Sequence, residues 1–271
     1  PRPPRRSRTT ETDPYVFFAL EFPPINALLR WPDIFPTFNK IGLIAVMSAL
    51  IVIIFYSFAN RANPAVAPTG VRNLAETSVE FIEEGIIMQT MGKAGLNWTP
   101  LLLSLFMFIF LCNIPGVLPV LQMPATARMA IPLALSLLVW VTYIGTGLKH
   151  QGIGYFTHLL WPPGVPTFLK PLVGLIEFIS TILVTPFSLT VRLFANMLAG
   201  HILLVTFGLL TEALLFAETS QVFLVPMSIL PFIMLVLMTA FEVLVAVLQA
   251  YIFTILAAVY INNSMAAHDE H

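Results

Sequence analysis

"PLVGLIEFISTILVTPFSLTVRLFANMLAGHILLVTFGLL" occupies residues 171–210, and only Glu177 and Arg192 carry formal charge in it. A helix through the whole stretch would be about 60 Å long at 1.5 Å per residue, twice the roughly 30 Å of a bilayer's hydrocarbon core. The stretch therefore either crosses a membrane twice or forms one long helix lying steeply tilted. Residues 222–261, "VFLVPMSIL…AAVYI", pose the same choice. Pro186, Pro226 and Pro231 are expected kink points, and Gly200 and Gly208 offer flexibility or close packing.

Composition makes a membrane the setting for both stretches. The chain has 271 residues, 58% hydrophobic and 10% charged, against about 25% charged in soluble domains. Mean hydropathy is +0.87. The net charge of −1 implies no global electrostatic partner, and the lack of basic stripes with interleaved aromatics argues against nucleic acid. The single cysteine, Cys112, excludes an internal disulfide and a cysteine-cluster metal site. No metal or cofactor is expected. There is no P-loop, HExxH or GxSxG, so no catalytic motif marks the chain as an enzyme by itself.

Five apolar tracts define the fold class: an all-α integral membrane protein with spans at about 41–60, 98–121, 129–148, 171–216 and 222–262. Residues 1–40 form an N-terminal tail and pre-membrane segment, and 41–271 a single membrane domain. The first residues, "PRPPRRSRTTETDP", read either as a basic bacterial tail or as an organelle-targeting segment. Pro115 and Pro119 fall near the end of the second tract. "NPAVAPTG" reads as a linker and "HLLWPPGVPTFLKP" as a connecting loop.

Residues 71–92 predict a surface amphipathic helix, with Val71, Leu74, Phe81, Ile82 and Ile86 along one side. Glu76, Glu80, Glu83 and Glu84 lie mostly away from that side, as a solvated face rather than a metal site. Arg61, Arg72 and Lys93 flank the loop after the first span, and Lys149 and Lys170 flank the loop after the third. Arg128 alone marks the loop between the second and third spans, and the 211–221 link carries no cation. With five passes, this asymmetry puts the N-terminus outside and the C-terminus inside.

Arg192 is the only Lys or Arg after Lys170. It lies about 20 residues into its tract, too deep to snorkel from a perpendicular helix. A central arginine costs about 2.5–3.5 kcal/mol on insertion scales. Either a structural ion pair with Glu177 or Glu242 offsets that cost, or the arginine faces a water-filled path or an ionisable partner. At 100° per residue, Ser188, Arg192, Ala195, Asn196 and Ala199 share one face. Its small side chains suit the close approach of a neighbouring helix.

His201 is turned to the opposite side of that helix, and Glu212 lies almost in line with it. In the fifth tract Glu242, Ala246, Gln249 and Phe253 form one stripe. Low dielectric favours the neutral form of a carboxylic acid, which can donate and accept protons, as a relay requires. The plainer reading of Glu242 and Gln249 is a buried polar zipper that fixes helix packing.

"PFSLTVRLFANMLAGHILL" (186–204) and "FEVLVAVLQAYIFTILAAVYI" (241–261) strongly resemble subunit a of F-type ATP synthases. The loop "LWPPGVP" and the opening "EFPP…WPDIF" are most like actinobacterial sequences, while His201 with Glu242 follows the mitochondrial arrangement. The resemblance implies two long helices tilted against a rotating ring of small helical subunits, with Arg192 facing the ring carboxylates and Asn196 beside it. It implies a proton path that includes Asn196, with His201, Glu242 and Gln249 on the outer side and Glu177 on the inner. It further implies peripheral-stalk partners, a soluble nucleotide-binding head, membrane lipid around the chain, and a bacterial plasma membrane, or else the mitochondrial inner membrane. The rival from another class is a self-contained secondary transporter using Arg192 to bind an anionic substrate.

Overall fold

Helix accounts for nearly all the regular structure in the computed structural model, which describes residues 40–59, 70–118, 124–152, 154–160, 166, 168–215 and 225–266. The expected tail and most of the pre-membrane segment, Pro119, most of the predicted linker, and parts of the 158–171 and 211–221 connections lie outside the described residues. Five helical segments are long and apolar enough to cross a membrane: Ile41–Ala59, Gly92–Val117, Ala130–Gln151, Lys170–Leu215 and Val225–Met265. They match the five apolar tracts to within a few residues at most ends.

Helix α1 is Lys40–Ala59 and α2 is Val71–Ile82. A π-helical turn at Glu83–Ile87, a short α-helical stretch at Met88–Thr90 and a 3₁₀ segment at Gly92–Trp98 lead from α2 into α3, Thr99–Val117. Helix α4 is Ala130–Gln151, α5 Gly154–Leu160 and α6 Lys170–Ile179. A second π turn, Ser180–Val184, joins α6 to α7, Thr185–Leu215, and α8 is Ile229–Ala266. Gly152 ends α4 at a φ of 59°, a conformation costly for a side chain, and its N–H bonds the Leu148 carbonyl.

Each long tract turns out to be one helical path rather than two crossings. Lys170–Leu215 has 46 residues, about 69 Å of helix, and α8 has 38, about 57 Å. Helices of that length must tilt in a bilayer or project beyond it. The expected kink at Pro186 becomes a π turn just before it. Proline offers no N–H to the carbonyl four residues back, and widening the preceding turn also relieves its ring clash. Thr185 Oγ1 donates to the Ser180 carbonyl at 3.0 Å within that turn. Pro226 and Pro231 do not kink α8. Pro226 sits in a 3₁₀ turn before it and Pro231 in its first turn, where no N–H is needed.

The core joins the 83–87 π turn to α3, α4, α7 and the C-terminal half of α8. Ile82, Ile86, Leu102, Ile109, Val139, Leu193 and Phe253 are buried in it. A smaller cluster ties Ile41 and Ile44 of α1 to Cys112 and Ala125. Of the apolar side expected for residues 71–92, Ile82 and Ile86 are buried against the core, and the remainder is left open. Ala75 and Ile82 are buried, whereas Val71, Leu74 and Phe81 are exposed. Leu74 and Phe81 each precede a buried position by one residue, so they are rotated about 100° from the covered side. Glu76, Glu80 and Glu84 are exposed, and Glu83 accepts a hydrogen bond from Thr99 Oγ1 at 3.0 Å.

Candidate functional site

The rotation of α7 is set by its buried side, where Leu189, Leu193 and Met197 enter the core. Two hydroxyl contacts fix it further. Ser136 of α4 and Thr190 share a hydrogen bond of 2.5 Å, and Tyr143 Oη donates to the Thr181 carbonyl in the π turn, also at 2.5 Å. With that side locked, Ser188, Arg192, Ala195, Asn196 and Ala199 all fall on the exposed side. They share the face that helical periodicity predicts. Arg192 forms no hydrogen bond or ion pair with any described residue, so neither Glu177 nor Glu242 serves as its structural counter-ion. The guanidinium is displayed on a face that the described residues leave uncovered.

Asn196 connects that face to α8. Its Nδ2 donates to Gln249 Oε1 at 2.7 Å. Gln249 is 2% exposed, and its Nε2 has no hydrogen-bond partner among the described residues. Two turns earlier on α8, Glu242 is 4% exposed, with neither carboxyl oxygen hydrogen-bonded to a described residue. Glu242 packs against Gly200 of α7. Both line a cavity of about 220 Å³, together with Asn196, Ala199, Leu203 and Phe241. A water takes about 30 Å³ of liquid volume, so this space is large enough for several.

His201 is buried and opens onto a different, larger cavity of about 410 Å³. Gly116, Leu204, Glu212 and Thr239 also line it. Two periodicity arguments thus agree with the geometry: His201 faces away from Arg192, and Glu212 shares its side. The structure does not bring His201 and Glu242 into one cavity. Their cavities meet α8 at Thr239 and Glu242, less than one turn apart.

Glu177 is exposed on α6, away from the Asn196–Gln249–Glu242 group. It neighbours Tyr155 of α5 at the end of the bundle where α4 and α8 finish. Burial pushes the Tyr155 phenol above its ordinary value; a hydrogen bond with Ser264 acts against this, and the Glu177 carboxylate adds to it. Gln151 Nε2 donates to the Ser264 carbonyl at 3.3 Å in the same region. Sequence reasoning did not single out Thr190, Thr239 or the Tyr155–Ser264 pair. No local pattern marks them, because each acquires its place from a different helix.

The fold and site define a multi-pass α-helical membrane protein that presents one arginine on an uncovered helical face, backed by buried polar residues from a second long helix. A family model described as ATP synthase A chain matches residues 42–262. The chain belongs to that family. Among curated relatives, "ATP synthase subunit a" of Frankia alni is 40% identical over 236 residues, covering 86% of this chain and 79% of that protein. "ATP synthase subunit a" of Streptomyces lividans is 37% identical over 267 residues, covering 95% and 93%. "ATP synthase subunit a" of Azorhizobium caulinodans is 39% identical over 245 residues, covering 90% and 94%. The chain is therefore a subunit of the ATP synthase membrane sector, and the comparisons lend the secondary-transporter reading no support.

Proposed function

We propose that this chain is the proton-translocating stator subunit of an F-type ATP synthase, with two half-channels separated by Arg192. The observation that carries the reading is Arg192 itself: a permanent charge deep in an apolar tract, exposed on a small-residue face and without a partner among the described residues. Such a face suits a ring of small helical subunits, each bearing a membrane carboxyl group. A ring carboxyl crosses lipid only when neutral. Near Arg192 its charged form is favoured, so its proton leaves. A guanidinium does not deprotonate in proteins and cannot pass that proton directly across. Protons then enter by one path, ride the ring, and leave by another.

His201, Glu242, Gln249 and Asn196 would serve the entry path, on the side that the lysine and arginine asymmetry puts outside. The two cavities beside His201 and Glu242 support this assignment by offering room for water next to each group. Glu177, near Tyr155 and the end of α8, would serve the exit. The remaining partners are peripheral-stalk subunits and, through them, the soluble nucleotide-binding head. Bacterial relatives support a bacterial plasma membrane as the location, the mitochondrial inner membrane being the alternative.

The decisive experiment replaces Arg192 in the whole complex. Arg192→Ala is expected to abolish ATP-driven proton pumping in inverted vesicles while the complex still assembles. Arg192→Lys should restore little, because a buried ammonium is a point charge that can lose its proton. Near-normal pumping by assembled Arg192→Ala complex would overturn the proposal.

A further inference from the structure

Gly200 and Glu242 meet where α7 packs on α8. A Cβ added at Gly200 would fall 2.8 Å from Glu242 Oε1 and 3.1 Å from its Cδ. Both are closer than carbon normally comes to such atoms, so any side chain at position 200 must displace the carboxyl group. No hydrogen bond to a described residue fixes that group, since both oxygens are buried and unpartnered. Its position is set by packing, and Gly200 supplies the space.

That space lies at a particular point. Gly200 lines the cavity shared with Asn196 and Glu242, whereas His201, the next residue, lines the larger cavity with Thr239. The partition between the cavities is therefore Gly200–His201 on one helix and Thr239–Glu242 on the other. We propose that Gly200 is a positioning residue: its missing side chain leaves the seat that holds the Glu242 carboxyl at the partition between the His201 cavity and the Asn196 cavity. A proton arriving on the His201 side then finds an acceptor within reach of the Asn196 side. This proposal rests on the relay role given above to Glu242. A glycine needed only for helix flexibility would carry no such dependence on the length of residue 242.

The test uses proton pumping by the whole complex in inverted vesicles, normalised to assembled complex. Gly200→Ala is expected to slow pumping roughly two- to tenfold, the size of effect for a side chain forced from its rotamer. Alanine favours helix more than glycine, so lost helicity cannot explain a fall. Glu242→Asp alone should also slow pumping, because its carboxyl retracts from the seat by one methylene. In the double variant Gly200→Ala with Glu242→Asp, the new methyl fills the space the shorter acid vacates, and pumping should recover to about half the parental rate. Gly145→Ala, where an added Cβ meets nothing within 4 Å, should leave it unchanged.

If Gly200→Ala lowers the amount of assembled complex, the double variant should restore that amount. A Gly200→Ala complex as fast as the parent, or a double variant no better than Gly200→Ala in rate or assembly, overturns the proposal. Glu242→Gln separates this from failure of the underlying reading. Unimpaired pumping by Glu242→Gln removes the relay role and the seat with it, whereas loss in Glu242→Gln with full activity in Gly200→Ala removes the seat alone.

Discussion

Both halves of α8 are mostly apolar, yet their surroundings differ. From Ile229 to Leu248 most of its large apolar side chains point outward, and Phe241 is 59% exposed. From Gln249 to Ser264 the helix runs into the core, where Phe253 is fully buried and Ala250, Ala257 and Ala258 let α3 and α4 approach closely. The uncovered half carries Glu242 toward α7, and the covered half carries none of the ionisable site residues. One helix thus acts as an anchor at one end and as half of a candidate proton path at the other. What separates the halves is which neighbours reach them, since apolar content is high throughout.

The largest expected effect tests the anchor. Phe253→Ala should cost about 3–5 kcal/mol, as for other buried aromatics, while Phe232→Ala in the uncovered half should change stability by less than about 0.5 kcal/mol. Thermal unfolding of the purified complex in detergent would compare the two. Equal losses would mean that the uncovered half is as tightly held as the core.

A smaller effect, on function alone, is expected in the uncovered half. His201→Glu puts a second carboxyl near the first, and Glu242→His leaves two imidazoles and no acid. Each should slow proton flux about a hundredfold, the lower end of what a positioned proton-transfer group contributes. Exchanging both restores one acid and one base and should recover part of the rate, with assembly unchanged in all three variants. A double variant no faster than the worse single variant would separate the two cavities functionally and favour the polar-zipper reading of Glu242.

The smallest effect sharpens the same contrast on α7. Thr190 is buried and bonded to Ser136, whereas Ser188 is on the open face. Thr190→Val should destabilise by about 1 kcal/mol, the usual net worth of a buried hydrogen bond, and Ser188→Ala should not register in the same unfolding measurement. If Thr190→Val also slows pumping, the Ser136–Thr190 contact helps to aim Arg192 as well as to hold α7.

Hydrophobic length alone was enough to place all five spans, because satisfying backbone polar groups in lipid demands long unbroken helix. Charge depth singled out Arg192 for the same reason: a cation in hydrocarbon is too costly to be incidental. Helical periodicity put Asn196 beside Arg192, turned His201 away, and lined Glu212 up with His201. These are local properties, carried by neighbouring residues on one helix.

Other features depended on which helices meet. The proline positions were visible, but whether each would kink its helix depended on backbone phase: Pro186 follows a π turn, while Pro226 and Pro231 sit before or in the first turn of α8. The apolar side of residues 71–86 was visible, but Val71, Leu74 and Phe81 are as apolar as buried Ile82 and Ile86, and only the placement of neighbouring helices distinguishes them. The Asn196–Gln249 bond, the separate cavities of His201 and Glu242, and the fit of a carboxyl against Gly200 all join residues at least 38 positions apart or on different helices. A single helix repeats every 3.6 residues and so predicts its own faces. It contains nothing that says which face a second helix will cover, and that was settled only when the side chains of several helices had to share one core.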